Sequence, residues 1–417
     1  MRGQSAPRFL ALLALLALAG CAIGGGTSTA QGTASTPTAQ GTLPTATSKP
    51  TTKSFELTFI GSDGNVWEMT WPQGQPKQLT NDAKANSVRY SGLAWSPDGA
   101  HLAVLRETGQ QYMPTSDELR ILAPDGTVVT HASLKAPPYN TPFSWSPDGK
   151  TIAYREATDT ANPTTQTFQG TITLVDAQTG ATEKTVTYDD GPGGCGGAFP
   201  PLEGAVMGAH QAYQGLDAFA WFADGQRMLV GYDCANDQAA RVDLSSGTTT
   251  PGYPEGATFQ PGGNLILGDW FDQNGTHMGL ADQTGAHQKT LVTETPPGKN
   301  GPFYDNALGL ATWSPDGQTI YFERENSIWS VGADGSNAHK IVAGTGDDSN
   351  MEATVEMLPS PSPDGKLLLY LQLHGSDILG SSNNPTTTAR CYVAQPDGTG
   401  AVQVPQGATW AVWRPSK

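Results

Sequence analysis

The residues with the most chemical capacity in this chain are short groups of carboxylates and phenols. Asp189 and Asp190 are adjacent, Tyr304 precedes Asp305, and Asp347 and Asp348 are followed by Glu352; Tyr112, Tyr139 and Tyr213 lie in similar surroundings. Paired carboxylates can share general acid and base work, or give a hard cation such as Ca²⁺ its oxygen ligands. The segment "GTGDDSN" from Gly344 lacks the Asp-x-Asp-x-Asp-Gly frame that fixes such ligands, so the spacing favours solvated charge over a metal site. No metal ligand set and no cofactor is expected, with Ca²⁺ the only ion these groups suggest. The seven histidines are scattered singly, and neither a Gly-x-Ser-x-Gly elbow nor a His-Glu-x-x-His pair occurs. No residue is assigned a catalytic role.

The elements that must hold these groups are legible in the turns. The chain has 417 residues with 50 Gly and 31 Pro, a turn-rich composition that suits strands. Its net charge of -16 repels phosphate backbones, which excludes nucleic acid as the expected partner. One turn reads Trp-Ser-Pro-Asp-Gly or a decayed form: Trp95–Gly99, Trp145–Gly149, Trp221–Gly225, Phe259–Gly263, Trp313–Gly317 and Pro361–Gly365. Pro presets φ, Asp bonds back to backbone amides and Gly takes the left-handed position. A second turn follows each, as in "APDG" at Ala123 or "GADG" at Gly332, and "WPQG" at Trp71 precedes the first of them. Four strands per unit, at a period of roughly 50 residues, indicate an all-β propeller. The turns give seven four-stranded blades, with six or eight as the neighbouring counts. The first blade lacks its first turn, and Trp413-Arg414-Pro415 at the other end supplies the missing opening. The ring is therefore expected to close by pairing the C-terminal strand with the N-terminal blade.

With strands lettered A to D in each blade, the A–B and C–D turns share one face. The B–C and D–A connections share the other. The long segments gather on the second face: 106–117, 155–169, 189–216, 293–308, 343–358 and 371–388. A binding surface is expected there, formed by Tyr112, Tyr139, Asp189, Asp190, Tyr213, Tyr304, Asp305, Asp347, Asp348 and Glu352. Cys195 and Cys234 fall on this face in adjacent blades, where a disulfide would contribute about 3 kcal/mol. Cys391, inside a strand, reads as a buried free thiol. Trp95, Trp145, Trp221, Trp313 and Trp413 read as wedges between blades, and Asp98, Asp148, Asp316 and Asp364 as turn chemistry.

Arg2 and Arg8 precede an apolar run, Phe9 to Ala19, too short to span a bilayer. Leu18-Ala19-Gly20-Cys21 resembles the lipobox of bacterial lipoproteins. That resemblance implies a signal peptide over 1–20 and a diacylated Cys21. A Thr/Ser/Gly/Pro linker over 21–54 then tethers the propeller of 55–417, and its r.m.s. reach is roughly 30 Å. The repeat itself resembles the WD40-like repeat of the TolB family, most cleanly in "WSPDGQTIYFERENSIWSVGADGSNAHKI" from Trp313. TolB is a soluble periplasmic six-bladed propeller with an added α/β domain, so only the fold carries over and the Tol-Pal partners do not. The expected function is a lipid-anchored, monomeric, extracytoplasmic binding or protein-interaction module, with an unidentified protein or glycan as partner. The alternatives are a propeller enzyme of lyase or glycan- or peptide-hydrolase type with a site in the central funnel, and a structural part of an envelope complex.

Overall fold

The computed structural model describes residues 54–415, apart from 86, 111–112, 135–141, 162–166, 193–218, 232–237, 273–274, 294–307, 346–353 and 375–388. The signal peptide, Cys21 and nearly all of the linker lie outside the described residues, as do Cys195 and Cys234.

The described residues form an all-β ring of seven antiparallel blades. In chain order, β1 (Phe55–Ile60), β2 (Val66–Trp71) and β3 (Lys77–Gln78) belong to blade 1. Blade 2 holds β4 (Val88–Trp95), β5 (Leu102–Gln110), β6 (Met113–Leu122) and β7 (Val128–Ser133). Blade 3 holds β8 (Phe143–Trp145), β9 (Thr151–Ala161), β10 (Thr167–Asp176) and β11 (Thr182–Pro192). Blades 4 and 5 run from β12 (Phe219–Trp221) through β13 (Arg227–Gly231), β14 (Gln238–Asp243), β15 (Thr249–Phe259), β16 (Ile266–Asp272) and β17 (Gly275–Ala281) to β18 (His287–Thr293). Blade 6 holds β19 (Leu308–Trp313), β20 (Thr319–Arg324), β21 (Ser327–Gly332) and β22 (His339–Val342). Blade 7 holds β23 (Thr354–Pro361), β24 (Leu368–His374), β25 (Arg390–Ala394) and β26 (Val402–Gln403). The last strand, β27 (Trp410–Trp413), pairs with β1, with Trp413 opposite Leu57, so blade 1 reads β27-β1-β2-β3. The chain closes its own ring, as expected from Trp413-Arg414-Pro415.

One strand does double duty. The first half of β15 pairs with β14 and the second half with β16, so it is both the outer strand of blade 4 and the inner strand of blade 5. Gly256, at φ 57°, turns the strand between the two roles. Pro251 and Pro254 are tolerated in the first half because an outer strand needs no N–H on its open side.

The SPDG turn is explained atom by atom. The buried serine after the aromatic, as in Ser314, donates to Asp316 Oδ1 at 2.6 Å and accepts the Thr319 N–H at 2.9 Å. Asp316 Oδ1 in turn accepts the Gln318 N–H, and Gly317 sits at φ 67°. Ser96–Asp98, Ser146–Asp148 and Ser362–Asp364 repeat the arrangement. These aspartates are turn chemistry, as expected.

Seven apolar clusters form, one at each seam between blades. The tryptophans are the wedges. Each packs against the preceding blade, and its indole N–H finds an acceptor there: Trp145 at Ala94 O (2.9 Å), Trp221 at Ser144 O (3.1 Å) and Trp95 at Thr58 Oγ1 (2.9 Å). Trp413 donates to Ser360 O of blade 7 at 3.0 Å, so the closing seam is built like the others. A buried indole that found no acceptor would cost about 1–3 kcal/mol.

Candidate functional site

The two ends of the blades differ in their connections. At the A–B/C–D end all the described connections are tight turns. At the B–C/D–A end two segments read as insertions, 106–117 and 155–169, largely continue as strand. β5 pairs with β6 from Leu102 to Gln110, and β9 with β10 as far as Ala161. The Thr-rich sequence after Arg155 favours extension over looping. These blades therefore project as long hairpins on the expected face.

Of the residues expected to form a site there, Asp189 is exposed near the end of β11, where its carbonyl accepts from Thr249 Oγ1 at 3.1 Å. Asp190 continues that strand. Tyr112, Tyr139, Tyr213, Tyr304, Asp305, Asp347, Asp348 and Glu352 lie outside the described residues. The expected cluster is thus not brought together in what the structure describes.

A different polar set occupies the same end of the blades. In blade 2, Glu107 on β5 and Asp117 on β6 are direct cross-strand partners, 5% and 2% exposed. Glu107 accepts from Ser91 Oγ and pairs with the Arg89 guanidinium. Neither carboxyl oxygen of Asp117 has a hydrogen-bond partner among the described residues. Burial, and then the charge of Glu107, pushes Asp117 up to about 8. Neighbouring residues point to the opposite seam. There Tyr90 donates to Asp82 Oδ1 at 2.6 Å, Arg106 Nε donates to Oδ2 at 2.9 Å, and Arg120 donates to the Tyr90 oxygen at 3.0 Å.

Buried charge recurs around the ring. Arg155 on β9, 7% exposed, donates to Gly231 O at the end of β13 in the next blade, at 3.0 Å. Glu323 on β20 accepts the Leu358 N–H of blade 7 at 2.7 Å. It keeps some water access although protein surrounds it, and the lost hydration pushes it up to about 8. Glu356 on β23, 2% exposed, accepts from Gln372 at 2.7 Å, and burial pushes it up to about 7.

These residues carried a sequence signal that comparison of the repeats exposes. Counted from the first residue of each first turn, Arg155 and Glu323 occupy the slot held by Leu105 and Leu371 in blades 2 and 7, by Gly231 in blade 4 and by Asp269 in blade 5. A slot that changes from leucine to charge between blades is a mark that reading each strand alone passes over.

Two recesses accompany this polar set. One, of about 310 Å³, is lined by the inner strands of six blades, which places it on the ring axis. The other, of about 380 Å³, lies on the turn face between blades 3 and 4. Pro97 and Pro315 lie 3.5 Å from where a Cβ on the next blade's turn glycine would sit, whereas Gly225 has nothing within 4 Å.

No protein-family model matches the chain, and no curated protein matches it. Solved structures do. The periplasmic gluconolactonase PpgL of Pseudomonas aeruginosa aligns over 87% of this chain and 99% of its own, at 14% identity and a TM-score of 0.51. A prolyl endopeptidase aligns over 88% of this chain at 12% identity and a TM-score of 0.52; the chain spans 49% of that enzyme's length. TolB of Acinetobacter baumannii aligns over 87% of this chain and 67% of its own, at 15% identity and a TM-score of 0.43. The likeness is one of fold. At these identities it assigns neither activity nor partner.

Proposed function

We propose that the chain is an extracytoplasmic binding module, anchored through a lipid on Cys21 and the 21–54 linker. It takes a protein or glycan partner on the B–C/D–A end of its propeller. The observation that carries this reading is the segregation of buried charge. Buried Glu107, Asp117, Arg155 and Glu356 and half-buried Glu323 lie toward that end, whereas buried Glu68 sits in mid-strand paired with Arg414 and the turn aspartates of the other end serve their own turns. Costly buried charge that the repeat does not require points to a use beyond folding. The word "periplasmic" in the name of the gluconolactonase with this fold agrees with the compartment. A hydrolase or lyase would need acids converging on an open pocket, but Glu107 and Asp117 are enclosed within a seam.

Two substitutions test the parts separately. Cys21→Ser should move the chain from the membrane pellet to the soluble fraction, and unchanged pelleting would end the anchor reading. Asp189→Arg, at the long-loop end, should weaken cosedimentation with isolated envelope fragments several-fold, whereas Gln178→Arg on the exposed turn end should not. Equal effects of the two would refute the choice of face.

A further inference from the structure

The axial recess has a wall that the repeat does not predict. In four blades the inner strand carries a β-bulge beside the same position, three residues before the residue that opens the first turn (an aromatic in three of them, Pro361 in blade 7). It falls at Gly92 in β4, Gly256 in β15, Leu310 in β19 and Leu358 in β23. Gly92 and Gly256 both adopt φ 57°, a left-handed backbone that glycine takes freely. Leu358 adopts φ 66° with a branched side chain. That conformation is rarely tolerated, and such outliers gather where a side chain has work to do.

The neighbouring blade shows why leucine fits here. In blade 2 a Cβ on Gly92 would fall 2.8 Å from the ring of Phe143 in blade 3. At the blade 7 to blade 1 seam the residue corresponding to Phe143 is Ala411, which leaves room. Leu358 uses that room, and Glu323 of blade 6 secures the bulge by accepting its N–H. The bulge interrupts the pairing of β23 with β24 between Met357 and Ser360, and the recess reaches Leu371 and Cys391, a buried free thiol.

None of the residues lining the recess is Asp, Glu, Lys, Arg or His, in a chain that carries 39 acids and 23 Lys and Arg. Leu310, Leu358 and Trp410 supply apolar wall, while Thr258, Thr312 and Ser360 supply hydroxyls. We infer that this axial pocket, walled by the left-handed Leu358, binds a small uncharged amphiphile: an apolar body against Leu310, Leu358 and Trp410, and a hydroxyl or amide head on Thr312 and Ser360. The volume of about 310 Å³ is at the lower end for ligand pockets and suits a molecule of one ring or a short chain. A charged analogue is refused because nothing in the lining pays for its lost hydration. The lining is distinct from the charged set of the long-loop end, although Glu323 of that set holds Leu358, and either reading can fail alone.

Ligand-detected NMR on the full-length chain tests it, with benzyl alcohol and 1-hexanol as probes and benzoate and hexylammonium as charged counterparts. Saturable binding of a neutral probe is expected, at least tenfold tighter than its ion. Leu310→Phe should abolish it by filling the recess. Leu358→Gly, which gives blade 7 the residue of its sister blades, should change affinity several-fold without unfolding the ring. The inference is overturned by no saturable binding to the native chain, by equal binding of benzoate, or by affinity that Leu358→Gly leaves unchanged.

Discussion

Aspartates at the turn end of the blades and carboxylates at the long-loop end obey opposite chemistry on the same scaffold. At the turn end Asp148 and Asp316 are held below the usual carboxylate range, first by the serine hydroxyl two residues earlier and then by turn amides. Asp176, Asp243, Asp282 and Asp397 are held down in the same way by hydroxyls and amides of their own turns. At the other end Asp117, Glu323 and Glu356 are pushed up to about 8, 8 and 7 by burial. The difference teaches which acids build the fold. Every turn acid repays its charge locally, so it recurs with the repeat. The long-loop acids repay theirs poorly and occur in single blades.

If the seams and turns hold the ring, the largest loss should come from breaking the last seam. Trp413→Ala removes a buried indole, its bond to Ser360 O and its edge contact with Phe55. A loss of about 3–5 kcal/mol is expected by urea unfolding, as for other large-to-small aromatic substitutions in cores. Next comes Ser314→Ala, which strips Asp316 of its hydroxyl donor and leaves the Thr319 N–H unpaired at a buried site. It should cost about 1–3 kcal/mol. A loss below the error of measurement would show that the turn chemistry is decorative.

The long-loop acids should behave in the opposite sense. Asp117 has its ordinary value near 3.8 when unfolded and about 8 when folded. The folded protein therefore holds a proton that the unfolded chain releases between those two values. Its contribution to stability is complete below about pH 4 and is lost as pH rises through about 8, with a slope of up to about 1.4 kcal/mol per pH unit. Asp117→Asn keeps the shape and removes the titration. It should be neutral or stabilising by about 1 kcal/mol near pH 7 and should flatten the fall in stability between pH 5 and 8. A destabilisation larger than that of Ser314→Ala would place Asp117 among the residues that build the fold.

Much of this architecture was legible in the residues. "WSPDG" encodes a turn whose serine, aspartate and glycine each have a local task, so six copies marked six blades. The orphan Trp413-Arg414-Pro415 marked the closure. The shared strand β15 was not legible as such, because "TTPGYPEGATF" carries turn residues that in isolation suggest a break. The site was harder still. Glu107 and Asp117 meet only through cross-strand register, and their burial depends on blade 3 packing over them. Arg155 and Glu323 were visible only by aligning a slot that blades 2 and 7 fill with leucine, blade 4 with Gly231 and blade 5 with Asp269.

Leu358 gives the finest measure of how far single blades depart from the repeat. In most strand positions Ala is more stable than Gly, because glycine loses more freedom on folding. At φ 66° that order should reverse, since a Cβ in the left-handed region carries strain that glycine escapes. Leu358→Ala and Leu358→Gly lose nearly the same buried side chain, so the difference between them isolates the backbone. Leu358→Gly should be the more stable by about 1 kcal/mol in paired thermal melts, and Glu323→Gln should leave that order unchanged because its amide oxygen can still accept the N–H. The opposite order would mean that blade 7 relaxes its bulge when the side chain shortens. In that case leucine itself, through its packing at the seam with Ala411, sets the left-handed turn that two sister blades obtain from glycine.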